Sequence, residues 1–121
     1  MTTKTDRELL ELAAKAAGIA CDKDGPYVER QEWQQWFGEQ GHFETVRVNW
    51  NPLHDDGDAL RLAVKLNMEL LRSQRNDPRP WVSAVIRNTT IHGAEDIGDD
   101  ANAATRRAIV RAAAAIGEAM P

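Results

Sequence analysis

The residues that most suggest a chemical site are the acidic run from His54 to Asp58, His-Asp-Asp-Gly-Asp. Aspartates two residues apart are typical of calcium loops, because a hard cation needs several oxygen ligands at close range. The glutamate that completes such a loop further along the chain is absent here. Aspartates are also favoured where a helix begins, since their carboxylates accept hydrogen bonds from free backbone N–H groups. The run therefore predicts helix capping, and we predict no metal site.

Histidine and cysteine chemistry has little support. His42, His54 and His92 show no ligand spacing, which argues against zinc binding and against a histidine general base. Cys21 is the single cysteine, so no internal disulfide forms, as expected in a reducing compartment. We predict that its side chain is a small, partly buried hydrophobic group. The glycines form no phosphate-binding loop. We predict no catalytic residue and no cofactor, and we lean towards a protein that is not an enzyme.

Tryptophan is the residue type that most suggests recognition, with four in 121 residues. If several of the tryptophans on predicted sheet segments share an uncovered face, they form an interaction surface; packing in the core is the alternative interpretation. Four arginines around a predicted hairpin, Arg72, Arg75, Arg79 and Arg87, indicate a basic patch, although a solvated hairpin explains them equally well. The candidate interaction surface comprises Trp33, Trp36, Trp81, Arg72, Arg75 and Arg87.

Composition is that of one globular domain spanning residues 1–121, with 42% hydrophobic and 28% charged residues. A net charge of −4 argues against nucleic acid as the partner, because binding to phosphates needs clustered Lys and Arg. The beginning of the chain has no apolar signal segment. No stretch approaches the roughly 18 apolar residues of a membrane span. We therefore predict a cytoplasmic protein that does not insert into a membrane.

The first half of the chain predicts one helix and a hairpin. Thr5 and Glu8 have the spacing of a capping box, and apolar periodicity predicts a helix over 6–17. Residues 22–26 are rich in turn-forming residues and predict a loop. The segment 27–37 combines helical spacing of its aromatic residues with a composition that suits a strand, and we favour the strand. Strict alternation predicts a strand from residue 45 to residue 50.

The second half predicts a helix over 57–66, strands over 68–75 and 81–87, a further short strand within 89–98, and a helix over 100–119. Leu60, Val64 and Leu66 belong to an apolar arc that covers more than half of the 57–66 helix, which predicts a helix enclosed at the centre of the fold. The fold class is α+β. We expect a sandwich of about three helices on a mainly antiparallel sheet of four to five strands, in the order α-ββ-α-ββ-α.

Three segments are similar to a group of small phage and prophage proteins. They are TDRELLELAAKAAGI (5–19), WNPLHDDGDALRLAVKL (50–66) and AATRRAIVRAAAAIG (103–117), in the order found in that group. On these segments the chain resembles the phage ABA sandwich domain family. The resemblance implies a compact sandwich of helices and sheet encoded by a temperate phage or a prophage, and it implies no activity. It also implies threonine or serine where this chain has His54.

Within the second of these segments we predict a structural motif that holds the domain together. It consists of Trp50, Asn51, Pro52, Asp55, Asp56 and Asp58. The leading functional hypothesis is a non-enzymatic phage or prophage accessory protein that binds a host or phage macromolecule, most simply a protein. The alternatives are a small-ligand-binding or enzymatic domain with a pocket between sheet and helices, and a self-associating structural component. Homo-oligomers are compatible with the first and third hypotheses.

Overall fold

The computed structural model describes residues 3–121, which form three helices and six strands. In chain order these elements are α1 (Asp6–Ala17), β1 (Cys21–Asp22), β2 (Gly25–Gln34), β3 (His42–Asn49), α2 (Asp56–Lys65), β4 (Met68–Arg72), β5 (Trp81–Ile86), β6 (His92–Asp96) and α3 (Ala101–Ala119). The strands form two separate sheets, ordered β1-β2-β3 and β4-β5-β6, and every strand pair is antiparallel.

The α+β class is confirmed, and the number and order of the strands need correction. The described residues contain two three-stranded sheets in the order α-βββ-α-βββ-α, not one sheet of four to five strands in the order α-ββ-α-ββ-α. One extra strand is β1, which pairs with the start of β2 through Cys21 and Asp22 in a segment that the sequence predicts as a loop. A strand of two residues is too short to show an alternating pattern. The other strand that this order omits is β6, which confirms the further short strand predicted within 89–98.

Local sequence signals determine where the helices begin. The Thr5 hydroxyl accepts a hydrogen bond from the Glu8 N–H at 3.1 Å, and the Glu8 carboxylate accepts one from the Thr5 N–H at 3.4 Å. This is the predicted capping box of α1. Gly18 ends that helix at a φ of 72°, in the left-handed region that favours glycine. Asp55 caps α2, because its Oδ1 accepts a hydrogen bond from the Asp58 N–H at 3.0 Å.

Helix α3 is the centre of the fold. One face of it packs on β5 and β6, and it also contacts α1 and α2. Alanine is its main buried residue type, so neighbouring backbones come very close to it. A Cβ on Gly93 of β6 would lie 2.3 Å from the Ala108 carbonyl oxygen, and a Cβ on Gly117 would lie 2.0 Å from the Leu12 carbonyl oxygen of α1. Both glycines therefore permit a close approach that a side chain would prevent.

Helix α2 lies at the periphery, so its predicted central position is wrong. Ala59, Leu62 and Ala63 face the core, whereas Leu60 is 63% exposed and Val64 is 71% exposed. The helix packs mainly on α3 and β4, and no element among residues 3–121 covers its other side. A wide apolar arc indicates which residues favour burial, but it does not show whether another element packs against them.

Candidate functional site

The hairpin formed by β2 and β3 extends away from the helices. Its register runs from the Tyr27–Asn49 pair near the core to the Gln34–His42 pair at the far end. The first of these strands also contacts α1 and β1, whereas β3 packs closely on no other described element than β2. Burial decreases along the hairpin, and residues 35–40 at its end are all exposed. The structure thus confirms a strand for residues 27–34 and places Trp36 and Phe37 in the loop that follows.

Four aromatic side chains, Trp33, Trp36, Phe37 and Phe43, lie at the far end of this hairpin and are all exposed. We call them the aromatic tip. Trp36 is 67% exposed and Phe37 is fully exposed. Trp33 and Phe43 are opposite each other across the strands, with ring centroids 5.0 Å apart and an edge-to-face angle of 72°. Such pairs are a favourable aromatic geometry, so this half of the tip is ordered before any partner binds.

Gly41 fixes the position of the Trp33 ring. A Cβ at Gly41 would lie 2.0 Å from that ring, so the indole lies directly against the backbone just before β3. Gly38 makes the turn, with a φ of 79°. The sequence pattern indicated Trp33 and Trp36 but missed Phe37 and Phe43. The available signal was their position on either side of the two glycines, where a hairpin end leaves side chains uncovered.

Acidic side chains surround the aromatic tip. Glu32, Glu39 and Glu44 lie within residues 31–45, and this stretch contains no lysine or arginine. Two of the carboxylates have a local partner. Glu32 pairs with Arg30 at 3.2 Å, and Glu44 lies 2.9 Å from His42 Nε2. The tip therefore combines a large apolar area with a negative border.

The structure divides the six predicted surface residues into three groups. Trp33 and Trp36 belong to the aromatic tip. Trp81, Arg72 and Arg75 lie at one end of the second sheet, where Arg72 ends β4 and Trp81 begins β5. Trp81 is exposed there, and so are both arginines. Arg87 follows the other end of β5, roughly 20 Å from Trp81 along the strand at about 3.3 Å per residue.

The predicted structural motif joins the first sheet to α2. Trp50 and Pro52 are buried. Asp58 is only 8% exposed, and its Oδ2 accepts a hydrogen bond from the Asn51 N–H at 3.0 Å. Its Oδ1 accepts a second one from Arg61 Nη2 at 2.8 Å. This carboxylate therefore connects the end of β3 to the helix, a contact that helix-capping rules alone do not predict.

The remaining aspartates of the motif have separate partners. Asp55 caps α2, and Asp56 accepts a hydrogen bond from Arg106 Nη1 of α3 at 2.6 Å. Arg106 Nε also donates to the Leu53 carbonyl oxygen at 2.9 Å. Each acidic side chain of the run thus has a helix-capping or packing contact. Among residues 3–121, no group of three or more His, Cys, Asp or Glu side chains is arranged to hold a metal ion.

Cys21 is exposed, which contradicts the prediction of partial burial. It lies on the short strand β1 at the edge of the first sheet. Desolvation by its immediate surroundings raises the pKa of the Cys21 thiol, and the nearby carboxylates of Glu11 and Asp22 raise it further. The Arg7 guanidinium acts in the opposite direction but does not reverse the effect. An exposed thiol with a raised pKa is accessible yet weakly nucleophilic at neutral pH.

We expect Cys21 in the folded protein to react with iodoacetamide more slowly at neutral pH than it does in the urea-unfolded chain. The raised pKa reduces the thiolate fraction, and the thiolate is the reacting species. Rates measured across a pH series check this, with the folded curve displaced to higher pH. Glu11→Gln should move the curve part of the way back. A folded rate equal to or above the unfolded rate at neutral pH would contradict the prediction.

None of the helices in the described part of the chain combines the length and the apolar character needed to cross a bilayer. Comparison of the chain with protein-family models, with curated proteins and with solved structures finds no match. The resemblance to the phage ABA sandwich domain family therefore stays a prediction that depends on the three segments quoted above.

Proposed function

We propose that this protein is a non-enzymatic binding module whose aromatic tip inserts into an apolar pocket of another protein. The observation that carries the proposal is the full exposure of Phe37 next to Trp36, itself 67% exposed, at the end of a projecting hairpin. Aromatic residues of this kind dominate the binding energy of protein interfaces, because they bury a large area with few rotatable bonds.

The charges around the tip favour a protein partner over other macromolecules. Glu32, Glu39 and Glu44 border the aromatic side chains, and residues 31–45 include no lysine or arginine. Phosphates of nucleic acids or anionic lipids would be repelled by this border. A protein pocket with lysine or arginine at its rim would be attracted to it, since complementary charge increases both specificity and the association rate.

The biological origin and the cellular location of the protein are proposed from the sequence. The segments 5–19, 50–66 and 103–117 support a phage or prophage origin, and the α+β class is the class that this resemblance implies. In that setting the protein acts in the cytoplasm of the bacterial host as an accessory protein, and the partner is a host or phage protein.

The experiment uses a double variant, Trp36→Ser with Phe37→Ser, in the full chain. We expect its unfolding free energy to stay within about 0.5 kcal/mol of the parent, because both residues are fully or mostly exposed in a loop. Binding to partner proteins captured from a lysate of the bacterium that carries the gene should weaken roughly ten- to thirty-fold, as for removal of an interface hot spot.

The matched control is Leu60→Ser with Val64→Ser, which removes two other mostly exposed apolar side chains, here from α2. The control should retain the captured proteins, and Glu39→Lys should weaken their binding as the negative border changes. Equal capture by the tip variant and the parent would overturn the proposal. So would loss of capture in the α2 variant alone, or capture that depends on nucleic acid and disappears after nuclease treatment.

A second copy of this chain is a second candidate for the partner. The end of the second sheet carries Trp81 with Arg72, Arg75 and Arg79 nearby, an apolar and basic surface opposite in charge to the aromatic tip. A contact between these different surfaces is heterologous, so it forms rings or open chains rather than a closed dimer. Sedimentation of the purified parent and of the tip variant separates the two candidates. Association of the parent alone, lost in the tip variant, favours the second copy.

A further inference from the structure

A cavity of about 490 Å³ lies between α2, the residues that end α1, and the inner face of the β2–β3 hairpin near its base. Its volume falls within the range of roughly 300–1,000 Å³ that is typical of small-molecule sites. The aromatic tip is at the opposite end of the hairpin, so this cavity is separate from the surface proposed above.

The walls of the cavity are mainly apolar. Val28 and Val48 are a directly opposed pair on β2 and β3 and form the hairpin wall. Ile19, Trp50 and Leu62 line the side towards the core. Trp50 and Leu62 are buried, while the two valines and Ile19 are half-buried. Buried walls are held in place by the core, so the site exists before a ligand arrives, which lowers the cost of binding.

The charged residues around the cavity leave positive charge available. Arg30, Arg61 and Lys65 line it together with Asp55 and Asp58, which is a local excess of cations in a chain of net charge −4. Both aspartates are engaged. Asp55 caps α2, and Asp58 accepts hydrogen bonds from the Asn51 N–H and from Arg61.

Lys65 is the cation with the fewest competing contacts. Within residues 3–121 it forms no ion pair, whereas Arg30 pairs with Glu32 and Arg61 pairs with Asp58. Its Nζ lies 4.0 Å from the position that a Cβ on Gly18 would take, so the ammonium group extends from α2 towards the end of α1. The ammonium group of Lys65 therefore lies across the cavity from the hairpin wall. Arg30 belongs to that wall, two residues after Val28 on the same face of β2.

We propose that this cavity binds a small molecule with an apolar body and one anionic group. The apolar body lies against Val28, Val48 and Leu62, and the carboxylate or phosphate contacts Lys65. Charge-assisted hydrogen bonds from a lysine or an arginine to such a group are about twice as strong as neutral ones. The same anionic chemistry is found in a fatty acid and in an alkyl phosphate, and the experiment includes both.

The experiment titrates the ¹⁵N-labelled full chain with octanoate, with octyl phosphate and with uncharged octanol, and follows the four tryptophan indole N–H signals. Trp50 lines the cavity, whereas Trp33, Trp36 and Trp81 lie elsewhere and serve as internal controls. We expect saturable shifts of the Trp50 signal with one or both anions and binding at least roughly ten-fold weaker with octanol.

Two variants test the assignment of the cavity. Lys65→Ala should weaken binding of the anion roughly ten-fold, as expected for loss of a charge-assisted contact. Lys23→Ala removes the same charge from the β1–β2 turn, which does not line the cavity, and should have no effect. Val28→Phe fills the cavity from the partly exposed hairpin wall and should abolish binding. If that variant fails to fold, the two lysine variants decide the outcome.

Three results would overturn the proposal. The first is the absence of any shift of the Trp50 signal at millimolar concentrations of both anions. The second is a uniform shift of all four indole signals, which indicates binding without a defined site. The third is equal weakening by Lys65→Ala and by Lys23→Ala. None of these results depends on the aromatic tip, so the failure of one proposal leaves the other standing.

Discussion

Replacement of Gly117 by alanine is expected to lower the free energy of unfolding by about 2–3 kcal/mol, the upper part of the usual range for overpacking. The new methyl group would lie 2.0 Å from the Leu12 carbonyl oxygen of α1 and 2.8 Å from its carbonyl carbon. These are backbone atoms, so no side-chain rotation relieves the overlap and the two helices must separate. In an isolated helix the same replacement stabilises by roughly 0.5–1 kcal/mol, and the packing cost outweighs this gain.

Urea unfolding followed by circular dichroism measures the effect. The matched control is Gly57→Ala in α2, where the nearest atoms are the ends of the Arg61 and Asp55 side chains, at 3.1 Å or more. Its unfolding free energy should remain close to that of the parent, because these side-chain ends can shift. Gly93→Ala tests the opposite side of α3, where a Cβ would lie 2.3 Å from the Ala108 carbonyl oxygen. An unchanged midpoint for Gly117→Ala would contradict the close packing of α1 and α3.

The limits of the helices could be predicted because their signals are local. Thr5 and Glu8 form a capping box through contacts that span three residues, and Gly18 ends the same helix. Asp55 and Asp100 begin the other two helices in the same way. These interactions depend on nearest neighbours in the chain, so the sequence contains all the information needed to place them.

Which faces of the helices are buried by other elements could not be predicted, because this depends on how elements distant in sequence pack together. The apolar side chains of Leu60 and Val64 belong to the same apolar arc as their buried neighbour Leu62, yet both are mostly exposed among the described residues. The partners of Arg107 in α3 could not be predicted either, because they lie on distant elements: its guanidinium pairs with Asp6 of α1 at 2.8 Å and with Glu95 of β6 at 3.2 Å. Periodicity identifies a face of a helix, and only the tertiary structure determines its neighbours.

The candidate sites were accessible to sequence reasoning to different degrees. Tryptophan content indicated recognition and pointed to Trp33 and Trp36, because large aromatic residues are rare enough to stand out. A pocket between sheet and helices was one of the alternatives, but the sequence did not indicate which residues line the cavity at the base of the hairpin. Val28, Trp50 and Lys65 lie on three different elements, and each is explained locally by a strand, a core position or the polar side of a helix.

Asp58→Ala is expected to lower the free energy of unfolding by about 2–3 kcal/mol, because it removes two hydrogen bonds from a carboxylate that is only 8% exposed. The Asn51 N–H loses its acceptor in a partly buried position, which costs roughly 1–3 kcal/mol by itself. Loss of the charge near the N-terminus of α2 adds a few tenths of a kcal/mol or more.

Two further variants separate the contributions of Asp58. Arg61→Ala removes the ion pair but keeps the bond to Asn51, and it should cost less than about 1 kcal/mol because the guanidinium is mostly exposed. Asp58→Asn keeps one acceptor oxygen and should fall between the two. Urea midpoints that rank these variants in this order would assign the stabilising role to the contact between the end of β3 and α2. Equal losses for Arg61→Ala and Asp58→Ala would instead assign it to the surface ion pair.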